Sequence, residues 1–324
     1  MKPLLVTMGD AAGIGPEIIC KAFANGDLNG AVVIGDPDVL RREGRAMLAL
    51  IEQPADLAQL PPGCLAVMLP PGLPTGLAQL PRGAVNADNG AAAARCIEYA
   101  VSLVQAGEGQ ALVTAPIHKK ALAAAGVPYP GHTEMLQALA GSPPVRMMLA
   151  NNELRVVLVT IHMALRQAID AVTFDAVLST LRIAHRAAAG WGQPTPRIAV
   201  AGLNPHAGEG GLFGSEELSI IGPAVVAAQS EGITASGPYA PDTVFMRARR
   251  GEFDIVVAMT HDHGLIPIKY MGVGEGVNVT LGLPFVRTSP DHGTAFDIAG
   301  RGQADPASLV AAIRMARVLA VKGR

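Results

Sequence analysis

Three histidines, His162, His206 and His261, each follow an apolar run of the kind that forms a buried strand. The runs are Val156 to Ile161, Arg197 to Leu203 and Asp254 to Thr260, with Asn204 and Pro205 intervening before His206. In open α/β sheets ligands bind outside the carboxyl ends of the strands, where side chains from distant segments converge. Neutral imidazole is a common ligand of borderline divalent cations, and three such nitrogens leave coordination positions open for a substrate oxygen. One histidine in such a place would more simply cap a strand end by bonding a carbonyl. The same context repeated three times favours a catalytic metal site assembled from His162, His206 and His261.

Other polar residues gather in glycine-rich segments. Gly131-His132-Thr133-Glu134 follows Pro130 in a turn that opens a helix, where His132 either bonds the helix terminus or meets a ligand. Asp262, His263, Lys269, Asn278 and Arg287 come after the third histidine. Arginine grips a phosphate or carboxylate with a planar fork, and lysine does so as a point charge. Lys269 follows Pro267-Ile268 and Arg287 follows Phe285-Val286, in a chain only 16% charged. Burial beside an anionic ligand is therefore expected of both.

Two further loops invite a nucleotide reading. Gly9 to Gly15 lies between a strand and a helix whose first amides could bind an anion, but its glycines lack the G-x-G-x-x-G spacing. Asp291 to Gly300 carries the small residues that let backbone amides approach a cofactor, with Asp297 as a hydroxyl acceptor. As pattern alone, that loop is equally a tight turn entering a helix.

The elements that must position these groups alternate between short β-type runs and longer helical ones. Lys2 to Thr7, Ala31 to Ile34 and Ala111 to Thr114 read as strands, and Pro16 to Ala24 as a helix with Pro16 at its first position and Glu17 complementing its dipole. Asn89 is expected to cap an alanine-rich helix ending near Gln105. Gln53 to Arg82, rich in proline and glycine, reads as loop and edge strand. Helices follow at Ala164 to Ala171, Phe174 to Ala189, Glu216 to Gln229, Asp242 to Arg249 and Pro306 to Val321. Strands alternating with helices give parallel sheet, so the expected fold is α/β, two doubly wound lobes of mixed or parallel sheet with the site in the cleft between them.

Composition narrows the function classes. With 324 residues, half of them hydrophobic, the chain is long enough for two domains. Its 25 basic and 27 acidic side chains nearly cancel, so no electrostatic footprint for nucleic acid or an anionic membrane is expected. No run reaches the roughly 18 apolar residues of a membrane span, and the opening Leu4-Leu5-Val6 is too short for a signal-peptide core. Cys20, Cys64 and Cys96 show no CxxC pair, which points away from a disulfide framework or a thiolate zinc site. A soluble, cytoplasmic protein acting on small molecules is expected.

Gly9-Asp10 through Pro16-Glu17, Gly131 to Glu134, Gly202 to Glu209, His261-Asp262 through Lys269, and Gly276 to Pro284 through Gly300 resemble the 4-hydroxythreonine-4-phosphate dehydrogenase family of vitamin B6 biosynthesis. The resemblance spans essentially the whole chain. It implies the two-domain fold shared with isocitrate and isopropylmalate dehydrogenases, with residues 1–130 and 288–324 as a cofactor-binding lobe. Residues 131–287 would form the metal, substrate and dimerisation lobe. It implies a homodimer with shared active sites, in which His162 and His206 of one subunit and His261 of the other hold a divalent cation (Zn, Mg, Mn or Co). His132, Thr133, Lys269, Asn278 and Arg287 would touch the phosphorylated substrate, with Lys269 and Asp262 the candidate catalytic groups. His292, Gly293, Thr294, Ala295 and Asp297 would bind NAD or NADP.

The implied reaction is oxidation of 4-phosphooxy-L-threonine to a 3-oxo acid that loses carbon dioxide to give 3-amino-2-oxopropyl phosphate. Two departures stand out: Ala11 replaces a usual proline, and His263 replaces a usual glutamine two residues from His261. Thr7-Met8-Gly9-Asp10 looks more like a paralogous branch acting on D-threonate or D-erythronate 4-phosphate, and a more distant relative oxidises an aromatic cis-diol carboxylate. A metal-dependent lyase, or a binding protein for phosphorylated acids, would use the same histidines and cations without the loop at 291–300.

Overall fold

The computed structural model describes residues 2–44, 46–141, 144–272, 274 and 276–322. The chain divides into two compact units, Met1–Pro144 with Leu283–Ala320, and Val145–Gly282 with Val321–Arg324. Each is α/β, as the alternating runs predict. The dividing points lie at 144/145 and 282/283, not at 130/131 and 287/288. Met135 and Leu136 of helix His132–Leu139 enter the first unit's core, and strand Arg287–Pro290 pairs in parallel with Ala111–Thr114.

The first unit's strands run in the order Met47–Leu50, Cys64–Met68, Ala31–Ile34, Leu4–Thr7, Ala111–Thr114 and Arg287–Pro290, every pairing parallel. Parallel strands are covered on both faces, so their sequences are short continuous apolar runs without alternation. Leu4–Thr7, Ala31–Ile34 and Ala111–Thr114 are buried at every position, and the exposed Met47–Leu50 is the edge. Arg287-Thr288-Ser289-Pro290 is buried throughout although polar. Polar groups are buried at that scale only where something satisfies them.

Gln53 to Arg82 departs from its sequence reading. It contains Cys64–Met68, an inner strand hydrogen-bonded on both sides, and the edge lies outside the window. Five apolar residues among prolines and glycines were too brief to show their burial. Asn89 is likewise not the helix cap. Asn86 is, its side chain accepting from the amides of Asp88 and Asn89 ahead of helix Ala87–Gln105, while Asn89 is fully buried inside it. Glu17, buried in helix Gly15–Ala24, bridges Lys21 at 2.9 Å and accepts the Ala304 amide at 2.9 Å, tying the chain's last segment to its first helix.

The second unit orders Val277–Leu281, Arg146–Ala150, Arg155–Leu158, Ile255–Ala258, Ile198–Ala201 and Ala235–Tyr239. The first two junctions are antiparallel and the rest parallel. Ala235–Tyr239 contains Gly237-Pro238, which hides it as a strand in sequence and suits its place at the edge. Leu149, Val156, Leu158, Val256 and Leu265 make a core, each worth about 1.5 to 3 kcal/mol for full burial. Gly264 lets helix His261–Met271 close on the sheet, since a Cβ there would stand 2.3 Å from Leu158 Cδ2. No helix among the described residues is long and apolar enough to cross a membrane.

Candidate active site

In the second unit, Arg155–Leu158 and Ile255–Ala258 are parallel neighbours, and their pairing continues beyond the strands. Val159 N donates to Ala258 O at 2.9 Å, Thr160 N to Met259 O at 3.2 Å, and the Thr160 hydroxyl to the same Met259 oxygen at 2.8 Å. His162 and His261 therefore emerge side by side, ring centroids 5.4 Å apart and planes inclined by 50°. His261 is the first residue of its helix, not a loop residue, and is half-buried. Its Nδ1 lies 2.7 Å from Asp262 Oδ1, an arrangement that leaves Nε2 as the ring nitrogen for a ligand.

His206 does not complete a three-residue ligand set with that pair among the described residues. It lines a cavity of about 530 Å³ together with Asn204, Asp242, Phe245, Asp262 and His263. Among the described residues of one chain, no three His, Cys, Asp or Glu side chains converge closely enough to hold a metal ion. A single chain thus supplies an imidazole pair at His162 and His261 and an exposed imidazole at His206.

The backbone under His206 is unusual. His206, Ala207, Gly208, Glu209 and Gly210 all have positive φ, from 42° to 78°, so Pro205–Gly211 is a left-handed turn. Left-handed backbone costs an L-residue about 1 to 2 kcal/mol, and three residues here bear a Cβ. Glu217, buried nearby, accepts the amides of Leu203 and Asn204 on Oε1, each at 2.7 Å, and Asn204 Nδ2 on Oε2 at 2.9 Å.

The first unit gathers the anion-binding candidates. Arg287 is buried, and its Nη2 donates to the Thr114 hydroxyl at 2.6 Å. Burial pushes its pKa down to about 9, which leaves it charged at neutral pH. His132 opens its helix, and its enclosed Nε2 has no hydrogen-bond partner among the described residues. Desolvation first, and the Arg287 charge second, hold its pKa well below the usual histidine range, so it is neutral. Thr133 follows it, half-buried. Thr7 Oγ1, Asp10 Oδ2, His118 Nδ1 and His292 Nε2 are also buried without a partner among the described residues. Orphaned polar atoms at that density are what a polar ligand would satisfy.

Four amides of the loop Gly9 to Gly15 are engaged within the protein. Asp10 N donates to Pro116 O, Ala12 N to Asp10 Oδ1, Gly13 N to Asp10 O and Ile14 N to Thr294 O. The loop is the seat of the 291–300 segment, and a Cβ at Gly13 would lie 2.9 Å from Thr294 Cβ. Thr294 is accordingly buried and Ala295 left-handed, whereas Gly293 and Asp297 are exposed, with open space around Gly293. His118 stacks on Phe296 at 4.5 Å, fixing the loop's far side. His292 Nε2 and the open backbone at Gly293 are left for a ligand, and Thr294 docks the loop against Gly13.

Lys269 is exposed on the last turn of its helix, against the burial expected from its apolar neighbours. Those neighbours face inward, Ile268 wholly so, and helical geometry turns the next residue to solvent. Asn278 is half-buried within strand Val277–Leu281.

The family model described as "Pyridoxal phosphate biosynthetic protein PdxA" matches residues 27–316. The chain belongs to this family. A PdxA relative from Beijerinckia indica, named 4-hydroxythreonine-4-phosphate dehydrogenase, is 55% identical, covering 98% of this chain and 95% of its own. One from Pectobacterium atrosepticum, named D-threonate 4-phosphate dehydrogenase, is 47% identical over 98% of this chain and 99% of its own. The crystal structure of the Klebsiella pneumoniae 4-hydroxythreonine-4-phosphate dehydrogenase has a TM-score of 0.92 at 45% identity, covering 98% of both chains. PdxA membership thus brings together dehydrogenases of two phosphorylated substrates. Nothing in the sequence singles out Glu217 or His118, and Asp10 and Asn204 stand there only as members of longer motifs. Only folding shows that Glu217 and Asn204 bind each other.

Proposed function

We propose that this PdxA protein oxidises 4-phosphooxy-L-threonine, with NAD or NADP as acceptor, to a 3-oxo acid that decarboxylates to 3-amino-2-oxopropyl phosphate. The observation that carries this reading is 55% identity across 98% of the chain to a relative named for that substrate. The oxidation removes two electrons and two protons' worth of hydrogen from the secondary alcohol. Decarboxylation then breaks the bond to the carboxyl carbon.

The chain's own residues divide the work. Arg287, charged and desolvated, is suited to the phosphate, where a charge-assisted contact is strongest. His132 is neutral and offers Nε2 beside it without adding charge. Thr133, Lys269 and Asn278 complete the proposed substrate contacts, Lys269 through an ammonium that can anchor the phosphate or carry a proton at Nζ. Asp262 orients His261 through Nδ1.

His162, His206 and His261 would hold a divalent cation, and the donor chemistry of imidazole fits one. Since no three such side chains converge among the described residues of one chain, a second copy of the chain would complete the set, giving a homodimer with shared sites. Exposed apolar residues beside each histidine support this: Met163 and Leu165, Leu212 and Phe213, Ile266 and Tyr270. His292, Gly293, Thr294, Ala295 and Asp297 would receive the nicotinamide cofactor. When bound, the cation would acidify the substrate hydroxyl and the nicotinamide would accept hydride. A cytoplasmic location follows from this chemistry.

The test is an assay of phosphorylated hydroxy and amino acids for NAD reduction, with and without added divalent metal. Turnover highest on 4-phosphooxy-L-threonine and dependent on metal is expected. Preference for D-threonate 4-phosphate would assign the chain to the branch of the Pectobacterium relative. No reduction with any member would reject a dehydrogenase.

A further inference from the structure

We propose that Glu217 is a positioning residue: its buried carboxylate holds the left-handed turn Pro205–Gly211 and thereby fixes where His206 presents its imidazole. Among the described residues only His206, Ala207, Glu209 and Ala295 combine a Cβ with positive φ. Three of the four lie in this one turn. A short segment of such backbone does not persist by itself, because ordinary right-handed conformations lie lower in energy. Something outside the turn must over-determine it.

Glu217 has the geometry to do so. It is 3% exposed, and it accepts from three N–H groups of the two residues that feed the turn, Leu203 and Asn204. Asn204 is gripped twice, since its Nδ2 also donates to Glu216 Oε2 at 2.7 Å. Gly208 is shaped around the same carboxylate, for a Cβ there would stand 2.7 Å from Glu217 Oε2. A Cβ at Gly202 would stand 3.0 Å from Glu217 Oε1 and 2.9 Å from Ala207 Cα, so the strand end, the turn and the carboxylate interlock. Glu217 itself begins a π-helical turn, Glu217–Ile221, that leads into helix Gly222–Ser230. Such turns are rare and are frequent at functional sites. His206 is meanwhile two-thirds exposed, with Phe213 and Glu209 beside its ring. Its direction is set by the backbone beneath it, not by packing around it.

The consequence for metal binding rests on the reading of His206 as a ligand, and the experiment separates the two claims. Glu217→Gln keeps size and shape but leaves one acceptor oxygen for three N–H donors. In the metal-free protein, amide hydrogen exchange in the peptide spanning 203–211 should speed up about tenfold or more, the loss of roughly one hydrogen-bonded anchor. Exchange elsewhere and the melting temperature should change little. Cobalt(II) affinity, measured by calorimetry, should fall about tenfold to a hundredfold, as for other residues that orient a ligand, and turnover should recover at raised cobalt.

Glu217→Asp, which keeps the charge but withdraws the carboxylate by one methylene from its three N–H donors, should reproduce both effects, and it carries the test if Glu217→Gln fails to fold. Unchanged exchange at 203–211 in both variants overturns the positioning role. Accelerated exchange in a protein whose wild type binds no cobalt upholds positioning and removes the metal reading of His206 instead.

Discussion

Arg287 donates from Nη2 to the Thr114 hydroxyl across 2.6 Å, joining residues 173 positions apart on neighbouring parallel strands. Both residues are buried, so the guanidinium is held in place by the sheet before any ligand arrives. A cation fixed in this way needs no reorganisation to receive a phosphate, which is the condition for a strong charge-assisted contact.

Arg287→Ala should therefore raise the substrate KM far more than that of NAD. Loss of a hydrogen bond to a charged group is worth about 1.5 to 3 kcal/mol, or roughly tenfold to a hundredfold. Steady-state kinetics with each substrate varied in turn measures the split. Equal effects on both constants would make Arg287 a structural residue only.

His132 gives the protein a pH dependence of known sign. Desolvation and Arg287 depress its folded-state pKa below the ordinary value of 6.5. The unfolded chain therefore takes up a proton at this position below about pH 6.5 that the folded chain refuses. Stability should fall as the pH drops below that value, by at most about 1.4 kcal/mol per unit for this one group. Urea unfolding at pH 7.5 and 5.5 should show a smaller difference in His132→Gln than in the parent. An identical difference would mean that His132 titrates normally.

Sharing of histidines between two copies can be tested by mixing inactive variants. His206→Ala and His261→Ala should each be inactive and should complement on subunit exchange. Half the dimers are then mixed and each has one intact site, so about a quarter of the original activity returns. Mixing His162→Ala with His261→Ala identifies which pair a chain keeps at home. Activity returns if His261 crosses to the partner, and none returns if the 5.4 Å pairing of His162 with His261 is the working one. A dead His206→Ala and His261→Ala mixture, with exchange demonstrated, would mean that one chain supplies both of these histidines to a site.

The sequence by itself determined the α/β class, most of the inner strands and helices, and the candidate residues. Those features are local: apolar runs of four to six residues are buried strands in almost any parallel sheet, and histidines just past them lie at its carboxyl edge. Other outcomes depended on which segments became neighbours. Lys269 and Arg287 have similar apolar flanks, yet one is solvent-facing on a helix and the other buried in a strand, because exposure follows from periodicity and partner elements. His162 stands beside His261 only because Arg155–Leu158 pairs with Ile255–Ala258, a choice of strand order that no local pattern encodes. The left-handed turn under His206 required Glu217 to arrive from another element and satisfy Leu203 and Asn204. Its energy is unfavourable residue by residue, so only the surrounding tertiary contacts could select it.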